Sequence, residues 1–284
     1  MGGVGDGRRP VAVTRPYDGL AAAWDTAAGL VYEPLAGSLA RASPVALAGL
    51  LALDIGSGTG AVARAVAADG ARAVVADCSL DMVAHGSGQG WTAIVADALA
   101  LPFRDSGFDA VTAGFLLNHL APAPALAEMA RVVRSGGVVL ASTWAAERSD
   151  PIKAAINEVL VSWGWNPPAW YETMKAEVEP VSGDPHRLME AAEQAGLAEV
   201  HAAVIDEDLG LRDAGAVVAY RLAMPHIAPW VARLGQPADT ELFRQLRIAV
   251  APHVPVWRPS VIQLSARVAT HPMQRVATLS NASA

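Results

Sequence analysis

A chain of 284 residues is long enough for one large α/β domain, or for a domain with a lid. The formal net charge of −7, with 21 Lys and Arg residues and no basic run, disfavours a nucleic-acid substrate, because phosphate binding needs a clustered positive face. The single cysteine, Cys78, cannot form an internal disulfide, and no zinc-ligand spacing is present, so we expect a cytoplasmic protein without a metal site.

The first part of the chain predicts a flexible tail followed by a helical cap. Residues 1–13 are polar and glycine-rich and lack the apolar stretch of a secretory signal. Residues 14–49 predict the helical cap, in which Tyr17 and Trp24 share a face. The uncharged run at residues 42–53 is too short to cross a bilayer, so we expect no contact with a membrane.

Residues 50–145 predict a core with a parallel sheet, because strand-like and helix-like segments alternate along them. The predicted strands lie at residues 51–54, 73–77, 92–97, 108–115 and 138–144, with a helix at residues 125–134. Asp54, Asp77 and Asp97 each end one of the first three strands. Since open α/β sheets bind ligands at the carboxyl ends of their strands, we expect these three acids at one site.

The part of the chain after the core predicts two more strands and additional helices. Residues 151–180 are interpreted as irregular, and residues 184–196 as a capped helix that ends at a glycine. Strands are predicted at residues 198–208 and 256–268. The helical stretch between them, residues 213–250, is too long for a hairpin and is interpreted as an insertion over the mouth of the active site.

A glycine-rich loop follows the first predicted strand in the stretch LALDIGSGTG. Gly56, Gly58 and Gly60 allow positive φ and a close approach of the backbone to a ligand, and a helix begins directly after them. The spacing is G-x-G-x-G rather than the G-x-G-x-x-G of dinucleotide sites, and the Gly-Lys-Ser/Thr of a P-loop is missing. Asp54, two residues before the first glycine, would repel a pyrophosphate but suits a ligand with an ammonium group.

Four stretches of the chain resemble the class I S-adenosylmethionine-dependent methyltransferases. LALDIGSGTG is similar to the first motif of that family, and VVADCSLDMV, AIVADALALPFRDSGFDAVTAGF and ARVVRSGGVVLAS follow in the family's order over about residues 48–144. The resemblance is strongest to the small-molecule branch with ubiquinone-type C-methyltransferases and natural-product enzymes. It implies a Rossmann-like, seven-stranded, mostly parallel sheet with an antiparallel last strand, for which residues 256–268 are the candidate. It also implies S-adenosylmethionine as cofactor.

The resemblance implies a contact with the cofactor for each of several residues. Asp54 would lie near the ammonium group, Asp77 would accept both ribose hydroxyls, and Asp97 would accept from the adenine amino group. The other implied contacts are Gly56, Ser57 and Gly58 at the amino-acid end, Cys78, Met82 and Ala98 at the adenine, and Phe115 over the methionyl chain. Four of these residues have an alternative structural interpretation, namely a helix cap for Asp77, a turn for Asp97, and core packing for Met82 and Cys78.

His119, in FLLNHL just after the fourth predicted strand, is the candidate catalytic base, because imidazole titrates near neutral pH. The alternative is a histidine that packs against the cofactor or caps the next helix. His226 and His253 are further candidates from the insertion. The acidic run at residues 206–208 is interpreted as a solvated strand end, and no metal is assigned.

An aromatic-rich set of residues outside the core predicts the acceptor pocket. In the family that the chain resembles, the first helices and the segment after the fifth strand build this pocket. We therefore expect residues 151–183 and 210–253 to form the pocket and lid of one domain that spans residues 14–284. The predicted pocket residues are Tyr17, Trp24, Trp163, Trp170 and Tyr171, which suit an aromatic or apolar small molecule. Core packing is the alternative for some of them.

The sequence therefore predicts methyl transfer from S-adenosylmethionine to an oxygen, nitrogen or carbon of an apolar small molecule, in natural-product or quinone-like metabolism. One alternative is a cofactor-binding protein of the same fold without methyl transfer, which would act as a cyclase or a partner module. Another is a nicotinamide-dependent oxidoreductase, against which the loop spacing argues. The sequence leaves the oligomeric state open, with a homodimer as one option.

Overall fold

The computed structural model describes residues 16–86, 88, 90–146 and 150–269 and contains one seven-stranded sheet. The strands are β1 Leu51–Ile55, β2 Arg72–Asp77, β3 Thr92–Val95, β4 Phe108–Gly114, β5 Val133–Trp144, β6 Leu197–Asp206 and β7 Ser260–Val268. Their order across the sheet is β3-β2-β1-β4-β5-β7-β6, and β7 is antiparallel to both of its neighbours. The predicted fold class, with an antiparallel last strand, is confirmed. The tail predicted at residues 1–13 lies outside the described residues.

Helices cover both faces of the sheet and form a layer at one of its edges. The helices are α1 Ala21–Ala23, α2 Gly29–Arg41, α3 Ala61–Ala68, α4 Leu80–Gly86, α5 Pro122–Val132, α6 Pro151–Ser162, α7 Ala169–Glu177, α8 Glu179–Ser182, α9 Pro185–Gln194, α10 Ala214–Leu222, α11 Ala228–Leu234 and α12 Ala238–Val250. In the described part of the chain, none of these helices combines the length and the apolar character that crossing a membrane requires.

The two faces of the sheet bury separate apolar clusters. On one face Leu39 of α2 and Val66 of α3 pack over β1 and β5. On the other face Leu126 of α5 and Leu188 of α9 pack over β4 and β5. Because both faces are covered, the central strands are apolar along their whole length, which is typical of parallel sheets.

A third apolar cluster forms the helical cap. Ile156 of α6, Val217 of α10 and Leu246 of α12 are completely buried in it, together with Val31 of α2. The same cluster contains Phe115, which directly follows the carboxyl end of β4. The cap therefore lies over the edge of the sheet where α/β proteins bind ligands.

The cap region differs from its sequence prediction in two places. Residues 151–180 form three helices rather than irregular chain, because Asp150 accepts hydrogen bonds from the amides of Ile152 and Lys153 at 2.9 and 3.1 Å and starts α6. A proline at the first position of a helix loses no hydrogen bond, so the prolines of this segment are compatible with helices. The prediction of irregular chain from the proline content was therefore wrong. The predicted helix over residues 14–49 begins at Ala21, contains one π-helical turn at Trp24–Ala28, and ends at Arg41.

Other predictions for the second half of the chain are confirmed. Asp184 caps α9 by accepting from the amides of His186 and Arg187, and Gly196 follows the helix at a φ of +83°. The predicted insertion at residues 213–250 lies between β6 and β7 and consists of α10, α11 and α12. These helices supply much of the cap.

Candidate cofactor and acceptor site

The loop between β1 and α3 forms the floor of the site. Gly56 and Gly60 have φ angles of +63° and +94°, which favour glycine. A Cβ atom on Gly56 would lie 2.8 Å from the Leu116 side chain, and one on Gly60 would lie 2.4 Å from the Trp91 ring. The loop therefore needs glycine for its conformation and for space, and it presents bare backbone to the cavity above it.

Asp54 lies beneath this loop and is only 1% exposed. Its Oδ1 accepts from the Thr112 hydroxyl at 2.9 Å, and its Oδ2 accepts from the Ala63 amide at 3.1 Å. Burial raises the pKa of Asp54 to about 7, although these two hydrogen bonds oppose the rise. Asp54 thus ties β1 to β4 and to α3, and its titration is moved towards neutral pH.

Asp77, at the carboxyl end of β2, holds the loop from the other side. Its Oδ2 accepts from the Gly58 amide and its Oδ1 from the Ser79 amide, both at 2.8 Å. Burial raises the pKa of Asp77 against the effect of these hydrogen bonds. Each carboxylate oxygen has a second lone pair, so both oxygens can still accept a hydroxyl from a ligand.

All of the predicted cofactor residues lie around one cavity. The cavity is lined by Asp54, Gly56, Ser57, Gly58, Asp77, Cys78, Met82, Asp97, Ala98 and Phe115. Partial burial, with Asp77 beside it, raises the pKa of the Cys78 thiol to about 12, so the thiol stays neutral. The Ser57 hydroxyl is buried and has no partner among the described residues, which fits a polar group of a bound cofactor.

A second cavity adjoins the first beneath the cap. The two cavities share Tyr17, Tyr32, Phe115 and His119. The second cavity is also lined by other aromatic side chains, namely Trp144, Trp170, Tyr171, Tyr220 and Trp257. An aromatic cavity that shares four wall residues with the first one suits an aromatic small molecule.

The aromatic residues predicted for the acceptor pocket do not all line the same cavity. Trp170 and Tyr171 line the second cavity, Trp24 lines the first, and Tyr17 lines both. Trp163 lines neither of these cavities, because its indole N–H donates to Gln245 Oε1 at 2.8 Å and the ring packs against the apolar core of the cap. The prediction for Trp163 is corrected accordingly.

His119 and Tyr17 lie where the two cavities meet. The Tyr17 hydroxyl and His119 Nε2 are 2.9 Å apart, and the two rings are in edge contact. Burial lowers the pKa of His119 to about 4 and raises the pKa of Tyr17, so both side chains are uncharged at neutral pH. In the described part of the structure, His119 Nδ1 has no hydrogen-bond partner.

Several residues of the site were not predicted from the sequence. Tyr32 stacks on Trp24 with 5.1 Å between the ring centroids. It lies eight residues after Trp24 on the same helix, and this spacing could have identified Tyr32 in the sequence. Lys153, Lys175 and Arg221 line the second cavity from three different helices. These three side chains come together only through the packing of separate helices, which no local sequence pattern predicts.

Comparison with known proteins agrees with this geometry. A family model described as "Methyltransferase domain" matches residues 53–141. A demethylmenaquinone methyltransferase of Corynebacterium urealyticum is 46% identical over 86 residues, which cover 30% of this chain and only 37% of that relative. A demethylmenaquinone methyltransferase of a Parafrankia species is 30% identical over 258 residues, which cover 79% of this chain and 98% of the relative.

A solved structure shares the fold at low identity. Phosphoethanolamine N-methyltransferase 2 of Haemonchus contortus, in complex with S-adenosylmethionine, superposes with a TM-score of 0.55 at 16% identity, covering 92% of this chain and 61% of that one. The chain belongs to the class I S-adenosylmethionine-dependent methyltransferases, and S-adenosylmethionine is its cofactor.

Proposed function

We propose that this protein transfers a methyl group from S-adenosylmethionine to an aromatic or quinone-like small molecule. The observation that carries the proposal is the junction of the two cavities at Tyr17, Tyr32, Phe115 and His119. The cofactor supplies an electrophilic methyl group on a sulfonium. Holding donor and acceptor in contact can contribute roughly 7–11 kcal/mol, so positioning is the main task of the protein.

The residues around the first cavity would bind the cofactor. Asp77 would accept both ribose hydroxyls while the Gly58 and Ser79 amides keep its carboxylate in place. Asp54 would lie near the ammonium group, and the backbone of the glycine loop near the carboxylate. Asp97 would accept from the adenine amino group with the Ala98 amide beside it, Met82 and Cys78 would flank the ring, and Phe115 would cover the methionyl chain.

The residues around the second cavity would bind the acceptor. Tyr171 stacks on His226 with a ring separation of 4.0 Å, which gives this wall a flat and ordered aromatic surface. Residues 151–183 and 210–253 would form the pocket and its lid. A quinone-like acceptor is supported by the names of the curated relatives, which are demethylmenaquinone methyltransferases.

His119 would act as the general base where the acceptor loses a proton. A histidine with a pKa of about 4 is unprotonated at neutral pH and can accept a proton as the acceptor atom is methylated. Tyr17 would position the ring by accepting a hydrogen bond from Nε2–H of the neutral imidazole, 2.9 Å away. Nδ1, which has no partner among the described residues, would then carry the free lone pair that takes the proton.

Two measurements, made one after the other, test the proposal. Calorimetry with S-adenosylhomocysteine should show binding that Asp77→Ala largely removes and that Asp69→Ala, a change of an exposed acid at the end of α3, leaves intact. Incubation with an isotopically labelled methyl donor and a panel of naphthols and naphthohydroquinones, with and without a carboxylate or phosphate group, should then yield a labelled product. Binding of S-adenosylhomocysteine without any labelled product from the panel would contradict the proposed acceptor class, and unaltered binding by Asp77→Ala would contradict the ribose contact.

A further inference from the structure

Three cationic side chains lie on the wall of the acceptor cavity. Lys153 comes from α6, Lys175 from α7 and Arg221 from α10, and all three line the cavity that the aromatic residues enclose. None of them was expected from the interpretation of an apolar pocket. A cavity for a purely apolar molecule has no need of a cluster of positive charges.

Arg221 is the least exposed of the three, with only 9% of its surface accessible. Its Nε and Nη2 atoms are buried and have no hydrogen-bond partner in the part of the chain that the structure describes. A guanidinium cannot relieve burial by losing its proton, so it needs an anion or strong acceptors. An unpaired buried charge is costly, and the fold would not retain one without a compensating interaction.

Among the described residues, neither acid of the same cavity forms a hydrogen bond or an ion pair with Arg221. Asp150 uses Oδ1 to cap α6, and Glu179 is in contact with Lys175. A fourth cation of the cavity, Arg258, is paired with Asp208 at 3.0 Å. Among the described residues, no carboxylate therefore accepts a hydrogen bond from Nε or Nη2 of Arg221.

The neighbouring groups show that the cations lie close to one another. Burial together with Lys153 and Arg221 lowers the pKa of Lys175 to about 8, even though Glu179 touches it. Burial, followed by the effect of Arg221 and Lys153, lowers the pKa of His226 to about 2, so this histidine stays neutral. The cluster therefore has a positive local potential that an anionic ligand would offset.

We propose that Arg221, with Lys153 and Lys175 beside it, is an oxyanion-binding site, and that the methyl acceptor carries a carboxylate or a phosphate group. The planar guanidinium fork matches either group in a bidentate arrangement. Arg221 lines the second cavity and not the first, so the anion belongs to the acceptor rather than to the cofactor. This inference rests on the proposed function, because it assigns that cavity to the acceptor.

The test uses three probes with the same ring system: naphthyl phosphate, naphthoate and naphthol. Each is titrated calorimetrically into the full-length protein that is saturated with S-adenosylhomocysteine. The better of the two anions should bind about tenfold or more tightly than naphthol, as charge-assisted hydrogen bonds imply, and the comparison of the two anions identifies the group. Arg221→Met should remove this preference and keep the affinity for naphthol.

Arg244→Met is the matched control, since Arg244 of the cap helix α12 is paired with Glu241 and lines neither the first nor the second cavity. It should keep the preference for the anion. Lys153→Met, measured in the same way, should weaken the preference, and this variant takes the place of Arg221→Met if Arg221→Met does not fold. Equal binding of all three probes to the wild type would overturn the proposal, as would an equal loss of the preference in Arg244→Met.

Binding of S-adenosylhomocysteine separates this inference from the proposed function. A wild-type protein that does not bind it contradicts the proposed function, and the anion preference is then measured in its absence. An Arg221→Met variant that loses affinity for S-adenosylhomocysteine would show that the cofactor carboxylate is the anion, and would overturn the acceptor assignment.

Discussion

Replacement of Asp54 by asparagine tests the contact between this residue and the cofactor ammonium group. Burial raises the pKa of Asp54 to about 7, so about half of this side chain carries a proton at pH 7. Asparagine keeps the size of the side chain and an oxygen that can accept from Thr112 or Ala63, and it cannot ionise. The variant therefore removes a titration with little change to the packing.

The expected effect is a release of protons on cofactor binding. A positive charge close to a carboxylate lowers its pKa by roughly 1–3 units, so the protonated fraction of Asp54 falls from about 0.5 to about 0.1 or less. The release from Asp54 is then about 0.4 protons per bound cofactor at pH 7. The ligand is a free amino acid whose ammonium group is almost fully protonated at pH 7, so it takes up almost no protons if it binds as ammonium.

Calorimetry with S-adenosylhomocysteine at pH 7 in buffers of different ionisation enthalpy measures the net proton exchange. The wild type should release protons, and Asp54→Asn should show almost no proton exchange. The difference between the two proteins, about 0.4 protons, reports on Asp54 alone. Equal proton exchange in both proteins would refute the proposed position of the ammonium group beside Asp54.

The other predictions concern the base, the glycine loop and stability. His119→Gln should lower turnover by about 10²–10⁴-fold and keep the affinity for S-adenosylhomocysteine. In the wild type, the rate should fall on the acid side of its pH profile near pH 4 rather than near 6.5, because His119 must be unprotonated to act as the base. A fall near pH 6.5 would count against His119 as the base. Gly60→Ala should lower the free energy of unfolding by about 2–4 kcal/mol, from its φ of +94° and the 2.4 Å contact of the new Cβ with Trp91. The control Gly210→Ala, with a φ of +69° and no atom within 4 Å, should lose only about 1–2 kcal/mol in the same denaturation assay. Because the folded-state pKa of Asp54 lies above its ordinary 3.8, the folded protein retains a proton that the unfolded chain loses, so the contribution of Asp54 should make the protein less stable as the pH rises from 3.8 to about 7. The difference between the free energies of unfolding of the wild type and Asp54→Asn, measured by urea denaturation across that range, should show this slope.

The cofactor half of the site could be predicted from the sequence because its determinants are local. Asp54 and Asp77 each lie at the end of a strand, and parallel strands that are neighbours in the sheet bring such ends together. The glycines are required by the backbone of a single turn, so their spacing is visible within five residues. The long-range part of the prediction was only the order of the strands, which the family resemblance supplied.

The acceptor half could not be predicted because its residues meet only through the packing of separate helices. Tyr32, Lys175 and Arg221 lie on three helices that are distant in sequence, and their common cavity depends on how α2, α7 and α10 cross. Composition was misleading in the same region. Trp163 was read as a pocket residue from its aromatic character, whereas its hydrogen bond to Gln245 fixes it within the cap.

The two halves of the site have opposite charge, and this difference constrains the acceptor further than the shape of the cavity does. The cofactor cavity is lined by acids such as Asp54 and Asp77, the acceptor cavity by cations such as Lys175 and Arg221, and the uncharged His119 lies between them. Charges interact more strongly where water is excluded. Under the oxyanion proposal, the cationic cofactor would lie in the cavity lined by acids and the anionic acceptor in the cavity lined by cations. A neutral acceptor would leave the Arg221 guanidinium buried and unpaired, at a cost of several kcal/mol. If both proposals hold, charge at the far end of the acceptor, rather than the fit of its ring, should determine which molecules this protein methylates.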